Sequence, residues 1–485
     1  MFLKMILILP ILAIFHLLFI NKNNKRSLET ISLFWSFIIF INFIVLVIVY
    51  NEKSQFQYSL WLDWFNSSTF GLNWGLVALS IDGISIWFLG LTIILIPICL
   101  IMSWKAINYL KKEFIIALFS IMLLLIYVFL VLDLLMFYIF FEAILIPMFI
   151  IIGIWGSREE KVKAAFYFFF YTLVGSLLML ISIFKIYSMF GTTNYQNLCT
   201  LEIPLQLQYW LFLGFLASLA TKIPMIPVHI WLPQAHVEAP LAGSVILAGI
   251  LLKLGGYGMI RFSFILFPIA SEYFSPLIIL FSILALIYAS LTTCRQTDLK
   301  RLIAYSSVAH MGLVTLSIFT HSIEGLIASV TMMLAHGLVS SALFMSSAIL
   351  YVRFHSRLIK YFKGITLTMP LFSSLTLIFI IANMGFPLTF NFIAEFLSLL
   401  TAFKYSKFVA ISICLGLLLS TVYSLYLYNR VFFGTISSHL LYSRDLLSFE
   451  FQGFLPLLVL TILLGILPNL VFKSTLYSSY INISL

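Results

Sequence analysis

Glu142, Lys222, Lys253, His310, His336 and Glu395 are the residues in this sequence best placed to do chemistry, because each stands inside an apolar stretch where an ionisable group is costly. Glu142 sits in LLMFYIFFEAILIPMFIIIG, Lys253 in AGILLKLGGYG and Glu395 in IANMGFPLTFNFIAEFLSLL. Lys222 opens TKIPMIPVHIWLPQAHVEAP, next to Pro224 and Pro227. A charge at bilayer depth costs at least about 2.5–3.5 kcal/mol on insertion scales. What such groups share is an exchangeable proton. Paired with Glu142, Lys222 would stay charged; unpaired and dry, it would release its proton, so the pair reads as a proton switch. Two opposite charges about 4 Å apart attract by roughly 4 kcal/mol at an effective dielectric of 20. Moving one charge through 100 mV costs about 2.3 kcal/mol, so opening such a pair is large enough to help drive a proton uphill.

His310, in AYSSVAHMGLV, and His336, in TMMLAHGLVSSALF, add imidazoles that can relay protons near neutral pH. Ser306, Ser307, Ser340 and Ser341 around them could hold water. His229 and His236 flank the proline-rich stretch and read equally as a surface mouth or as caps. No metal site is expected, since these histidines lack acidic or cysteine partners at ligand spacing. Cys99, Cys199, Cys294 and Cys414 stand far apart with no C-x-x-C pair. They read as core cysteines, not as zinc or iron–sulfur ligands.

The elements that must position these groups are membrane helices. With 62% hydrophobic and 9% charged residues over 485 positions, a water-soluble fold would lack the polar surface to cover itself. Cutting at charge clusters and turn residues gives about fourteen apolar spans of bilayer length. The apolar runs are continuous and not alternating, which disfavours a barrel. The opening MFLKMILILPILAIFHLLFI reads as the first span, not as a cleaved or transit segment.

Basic residues concentrate in the connections after odd-numbered spans, such as Lys111 and Lys112, Arg158, Lys300 and Arg301, and Arg353 and Arg357. The opposite face has fewer, among them Lys53, Arg261 and Lys404. By the positive-inside rule the first set marks the cytoplasm or the matrix, with both termini on the far side. The net charge of +10 therefore reflects topology, and no nucleic-acid partner is expected. Asp298, in RQTDLKRLIAYSS, is expected to pair structurally with Arg295, Lys300 or Arg301 at that basic surface.

Pro224 and Pro227 interrupt the seventh span, and Gly385 and Pro387 the twelfth. If spans four to eight and nine to thirteen form two five-helix units, each carries its broken helix in fourth place. Matching interruptions in two halves point to a transport site. Five being odd, successive units must be inverted. The division expected is 1–113 for the first three spans, 114–270 and 271–435 for the two units, and 436–485 for the last span.

At these motifs, together with FYIFFEAILIPMF and RQTDLKRLIAYSSVAHMG, the chain resembles the antiporter-like, proton-pumping membrane subunits of respiratory complex I over most of its length from about Asp82 to Gly434. The resemblance implies an all-α polytopic membrane protein of fourteen helices with two inverted five-helix repeats and broken helices seven and twelve. It further implies that Glu142 and Lys222 form an input pair, Lys253 the central relay, His310 and His336 the continuation, and Glu395 the exit-side acid. NADH, FMN, iron–sulfur clusters and ubiquinone would be handled by partner subunits. The lack of a G-x-G-x-x-G fingerprint after a strand and of a cysteine cluster agrees with no redox cofactor in this chain. Other membrane subunits of the complex and lipids would be its partners. The location implied is the mitochondrial inner membrane, with a bacterial plasma membrane as the alternative. A multisubunit cation/proton antiporter without redox chemistry is the competing reading.

Overall fold

The computed structural model describes residues 2–52, 55–63, 76–437 and 444–484. Lys53, placed on the far face above, lies outside them. Among the described residues, 12 helices are long and apolar enough to cross a membrane. The seventh and twelfth expected spans complete the series as interrupted pairs: Leu205–Lys222 followed by Trp231–Glu238, and Pro370–Asn383 followed by Phe390–Tyr405.

Burial sorts the spans. The eighth, Leu241–Leu266, and the eleventh, Ile323–Phe354, are each enclosed over a full bilayer-length stretch, and the tenth, Leu299–Ile318, nearly so. The first, Phe2–Phe19, the second, Lys25–Val49, and the fourteenth, Ser448–Ile466, lie outermost. Lys253, His310 and His336 thus ride on the three innermost of these helices. The eighth span reaches the centre because its glycines allow close approach: a Cβ at Gly255 would stand 2.8 Å from the Leu219 carbonyl oxygen of the seventh span.

A purely helical chain was expected, but an antiparallel hairpin joins the second span to the third. Strand β1 (Gln57–Asp63) pairs with β2 (Leu76–Ile81). The Leu132 amide donates to the Ala78 carbonyl at 2.8 Å, which ties β2 to the end of the fourth span, Lys111–Leu130. A further helix, Asn469–Ser484, follows the fourteenth span and accepts the Trp87 indole N–H on Ser474 Oγ at 2.7 Å.

Two surface expectations change. Lys300 is buried, and its Nζ donates to the Ala239 carbonyl at 2.6 Å, while Arg357 donates to the Val237 carbonyl at 2.5 Å and Ser157 N to the Glu238 carbonyl at 3.0 Å. Together they cap the C-terminus of Trp231–Glu238, where unpaired carbonyls and the helix dipole favour cations. Asp298 accepts from the Lys300 amide at 3.1 Å as a helix N-cap, and its nearest cationic partner is Arg158 at 4.0 Å, not a sequence neighbour. Of the cysteines, only Cys99 is buried; Cys199 and Cys294 are half-buried, and Cys414 is exposed on the outer face.

Arg261 also departs from its expected surface position. It is buried, with Nη1 3.0 Å from Asp82 Oδ2, and its guanidinium lies 5.0 Å from the Phe56 ring and 5.3 Å from the Tyr195 ring. Asp82 Oδ1 accepts in turn from the Ser85 amide at 2.9 Å. This pair joins β2, the third span and the eighth. Removing one partner of a buried ion pair strands the other, so Asp82→Ala is expected to cost about 3–5 kcal/mol. A sharp fall in the amount of assembled protein on native gels is the expected readout, and unchanged assembly would contradict it.

Candidate functional site: a buried chain of proton-exchanging groups

The seventh span stops at Lys222 because neither Pro224 nor Pro227 can donate a backbone hydrogen bond. The freed groups find partners across the break. The Trp231 indole N–H donates to the Thr221 carbonyl at 2.9 Å, and the Met225 amide to the Ala220 carbonyl at 3.0 Å. Lys222 is therefore presented at a helix end inside the bundle. Its Nζ stands 4.2 Å from the centroid of the Phe141 ring, a cation–π contact.

Glu142 follows Phe141 on the fifth span, Leu134–Trp155, and one of its carboxylate oxygens is buried without a partner. The two charges are close enough to feel each other. They form no direct ion pair, however, so the expected contact between Glu142 and Lys222 is absent in this conformation. The Ser176 hydroxyl, also near Glu142, donates instead to the Leu173 carbonyl at 2.9 Å.

Lys253 is fully enclosed. The eighth span widens into π-helical turns at Leu247–Leu251 and Met259–Ser263, on either side of the α-helical Leu252–Gly258 that carries it. Such turns skew carbonyls off the i→i−4 ladder. Lys253 Nζ uses one of them, donating to the Ala248 carbonyl, and stands 2.8 Å from His336 Nδ1. The His336 ring lies 5.6 Å, centroid to centroid, from the His310 ring, and His310 Nδ1 stands 3.8 Å from Glu395 Oε1. Lys253, His336, His310 and Glu395 thus form one continuous row from the eighth span through the eleventh and tenth to the twelfth.

Glu395 fits at the break of the twelfth span because Gly385 leaves room for it. Gly385 has a φ of +69°, where a side chain is strained, and a Cβ there would run into the Glu395 carboxylate. The resulting kink separates Pro370–Asn383 from Phe390–Tyr405.

Of the serines expected to hold water, Ser306, Ser307 and Ser341 donate to their own helix carbonyls at 2.6–2.8 Å, whereas the buried Ser340 hydroxyl has no partner. His236 is neither mouth nor surface cap. It is wholly buried, stacked on Phe344 at 4.6 Å, with both ring nitrogens unpartnered. His229 is nearly buried beside Tyr288 and Tyr305.

Sequence reasoning passed over Asn383, Asn391 and Tyr423. All are buried, Asn383 and Tyr423 beside His310 and Glu395, and the Asn391 amide and Tyr423 hydroxyl are unpartnered. Asn391 carried a readable signal: it stands one helical turn before Glu395 and shares its face. Among the described residues no cluster of histidine, cysteine or carboxylate side chains could hold a metal ion.

Residues 131–421 match the family model described as NADH:quinone oxidoreductase/Mrp antiporter, TM. The chain is 54% identical to NADH-ubiquinone oxidoreductase chain 4 of Metridium senile over 97% of its own length and 96% of that protein, and 48% identical to the Arabidopsis thaliana chain 4 over 99% and 96%. Its fold is similar to a chain of respiratory complex I from Thermus thermophilus with bound NADH, with a TM-score of 0.88, 24% identity and coverage of 100% of this chain and 99% of that one. It is also similar to a chain of the Mrp complex from Dietzia sp. DQ12-45-1b, with a TM-score of 0.86, 17% identity and coverage of 98% and 96%. A membrane bundle with two broken helices and an internal row of ionisable groups, matched end to end by these relatives, belongs to the NADH-ubiquinone oxidoreductase chain 4 family.

Proposed function

We propose that the chain is a proton-translocating membrane subunit of NADH–ubiquinone oxidoreductase in the mitochondrial inner membrane, working beside the other membrane subunits of that complex. The observation that carries this is the contact row Lys253–His336–His310–Glu395, held deep inside the bundle. An amine, two imidazoles and an acid in sequence can pass a proton by small rotations and intervening water, each group taking it from one side and giving it to the other. Lys222 and Glu142 feed the row: the cation weakens its hold on a proton when the carboxylate withdraws, and strengthens it when the carboxylate closes. Quinone reduction on partner subunits supplies the energy, and NADH, flavin, iron–sulfur clusters and ubiquinone are bound there. Residues 114–270 and 271–435 act as the two inverted units, an arrangement supported by the broken helix in the fourth place of each.

The likeness to the Mrp complex leaves one rival, a cation/proton antiporter free of redox chemistry. Purification separates them. The chain is expected to co-migrate with flavin and iron–sulfur subunits and, in sealed vesicles, to support proton uptake driven by NADH oxidation. Isolation in an assembly without redox centres that exchanges cations for protons would overturn the proposal.

A further inference from the structure

A narrow cavity of about 30 Å³ runs through the second half of the bundle, apart from the Lys222 and Lys253 region. On each of four helices its lining moves from the basic face inward. The tenth span contributes Leu299, next to Lys300 and Arg301, and then Ser306, one turn short of His310; the eleventh contributes Leu350 and then Ser346. The twelfth contributes Thr376 and then Asn383, at the break. The thirteenth, Lys407–Phe432, contributes Phe432, near Arg430, and then Tyr423. The inner end is lined by Tyr423 and Asn383, which neighbour Glu395 and His310, and Tyr423 Oη, Glu395 Oε1 and both nitrogens of His310 are buried without hydrogen-bond partners. Buried polar atoms of this kind are ordinarily satisfied by water. The cavity has room for about two waters at about 10–15 Å³ each.

Its walls suit a water file. The Ser306, Ser346, Thr376 and Ser424 hydroxyls each donate to a carbonyl of their own helix, at 2.8, 2.7, 2.9 and 2.6 Å. A hydroxyl whose proton is committed in this way still accepts, so water hydrogens have partners at these four positions among the aliphatic side chains of the wall.

We propose that this crevice connects Glu395 to the basic face, so that the acid at the second break exchanges protons with the matrix side, with Asn383 and Tyr423 positioning the water that reaches it. A crevice water hands its proton to the Glu395 carboxylate and is itself reprotonated from the basic-face solution; the reverse path discharges the acid. The resemblance to complex I implies only that Glu395 is the exit-side acid, and access from the basic face adds a second point of control. This inference rests on the proton-relay reading above.

The test uses Ser346→Cys and Ser424→Cys, with Ser290→Cys as a control, each in the assembled complex in vesicles whose basic face is outward. Ser290 is also buried but stands off the crevice. Silver ion, a thiol-reactive cation small enough to pass where a single water passes, is added outside, and reaction at each position is read by mass spectrometry as protection from alkylation after denaturation. Ser346→Cys and Ser424→Cys are expected to react while Ser290→Cys stays unmodified. Labelling of the crevice positions no greater than the control, or only from the opposite side, overturns the proposal. A companion Ser424→Leu variant, which plugs the crevice, is expected to lose proton translocation; labelling at the cysteines with full translocation in Ser424→Leu makes the crevice a dead end and also overturns it. Loss of pumping in Glu395→Gln without crevice labelling leaves the relay standing and removes only the access route, which keeps the two failures distinct.

Discussion

Lys253→Met is expected to abolish coupled quinone reduction and proton pumping while leaving the complex assembled. Methionine keeps the length and apolar stem of lysine, so it fills the same space beside His336 of the eleventh span and leaves no cavity. It also removes an amine that has no carboxylate beside it, and the fold is expected to be at least as stable without that burden. What disappears is the group that bridges the Ala248 carbonyl and His336 Nδ1. A positioned proton-transfer group contributes about 10²–10⁴-fold to its step, so turnover coupled to pumping is expected to fall at least a hundredfold. Three measurements check this: the assembled amount on native gels, NADH oxidation by an artificial acceptor that bypasses quinone, and quinone reduction in sealed vesicles. The first two should be unchanged and the third nearly lost. Retained quinone reduction with a normal proton yield would remove Lys253 from the path.

The features legible in the sequence were those that an apolar background makes conspicuous. An isolated Glu142, Lys222 or Lys253 in a greasy run, and prolines at Pro224 and Pro227, break a pattern otherwise uniform over twenty residues, so span order and candidate residues could be singled out. Pairing could not. Arg261 is 179 positions from Asp82, and near a span end it has the same signature as a lysine or arginine reaching for water. Cys414 illustrates a second limit: in a bilayer the outward face of a helix is as apolar as the inward one, so hydrophobicity does not tell which way a residue points. The strands Gln57–Asp63 and Leu76–Ile81 were hidden because short apolar runs between spans carry no clear period. Tyr423 and Asn383 matter only through what four separate helices bring next to them, and no local spacing encodes that.

The absence of a direct Glu142–Lys222 contact sharpens the second large effect. At an effective dielectric of 20, two opposite charges attract by roughly 4 kcal/mol at 4 Å and about half that at twice the distance. Closing such a pair from twice that distance would therefore be worth on the order of 2 kcal/mol, comparable with moving one charge through 100 mV. In this structure the Lys222 ammonium rests against the Phe141 ring and not on the carboxylate. If closing and opening set the affinity of Lys222 for its proton, either residue alone is sufficient to break the step. Lys222→Ala and Glu142→Gln are each expected to lower coupled quinone reduction and pumping together, because a blocked proton path holds back the redox reaction that drives it. The double substitution is expected to be no worse than the more severe single one, since both act on the same event. Assembled enzyme with normal turnover and a normal number of protons per electron in either single variant would show the chain to be a scaffold at this point. Losses that multiply in the double variant would show instead that Glu142 and Lys222 serve separate steps.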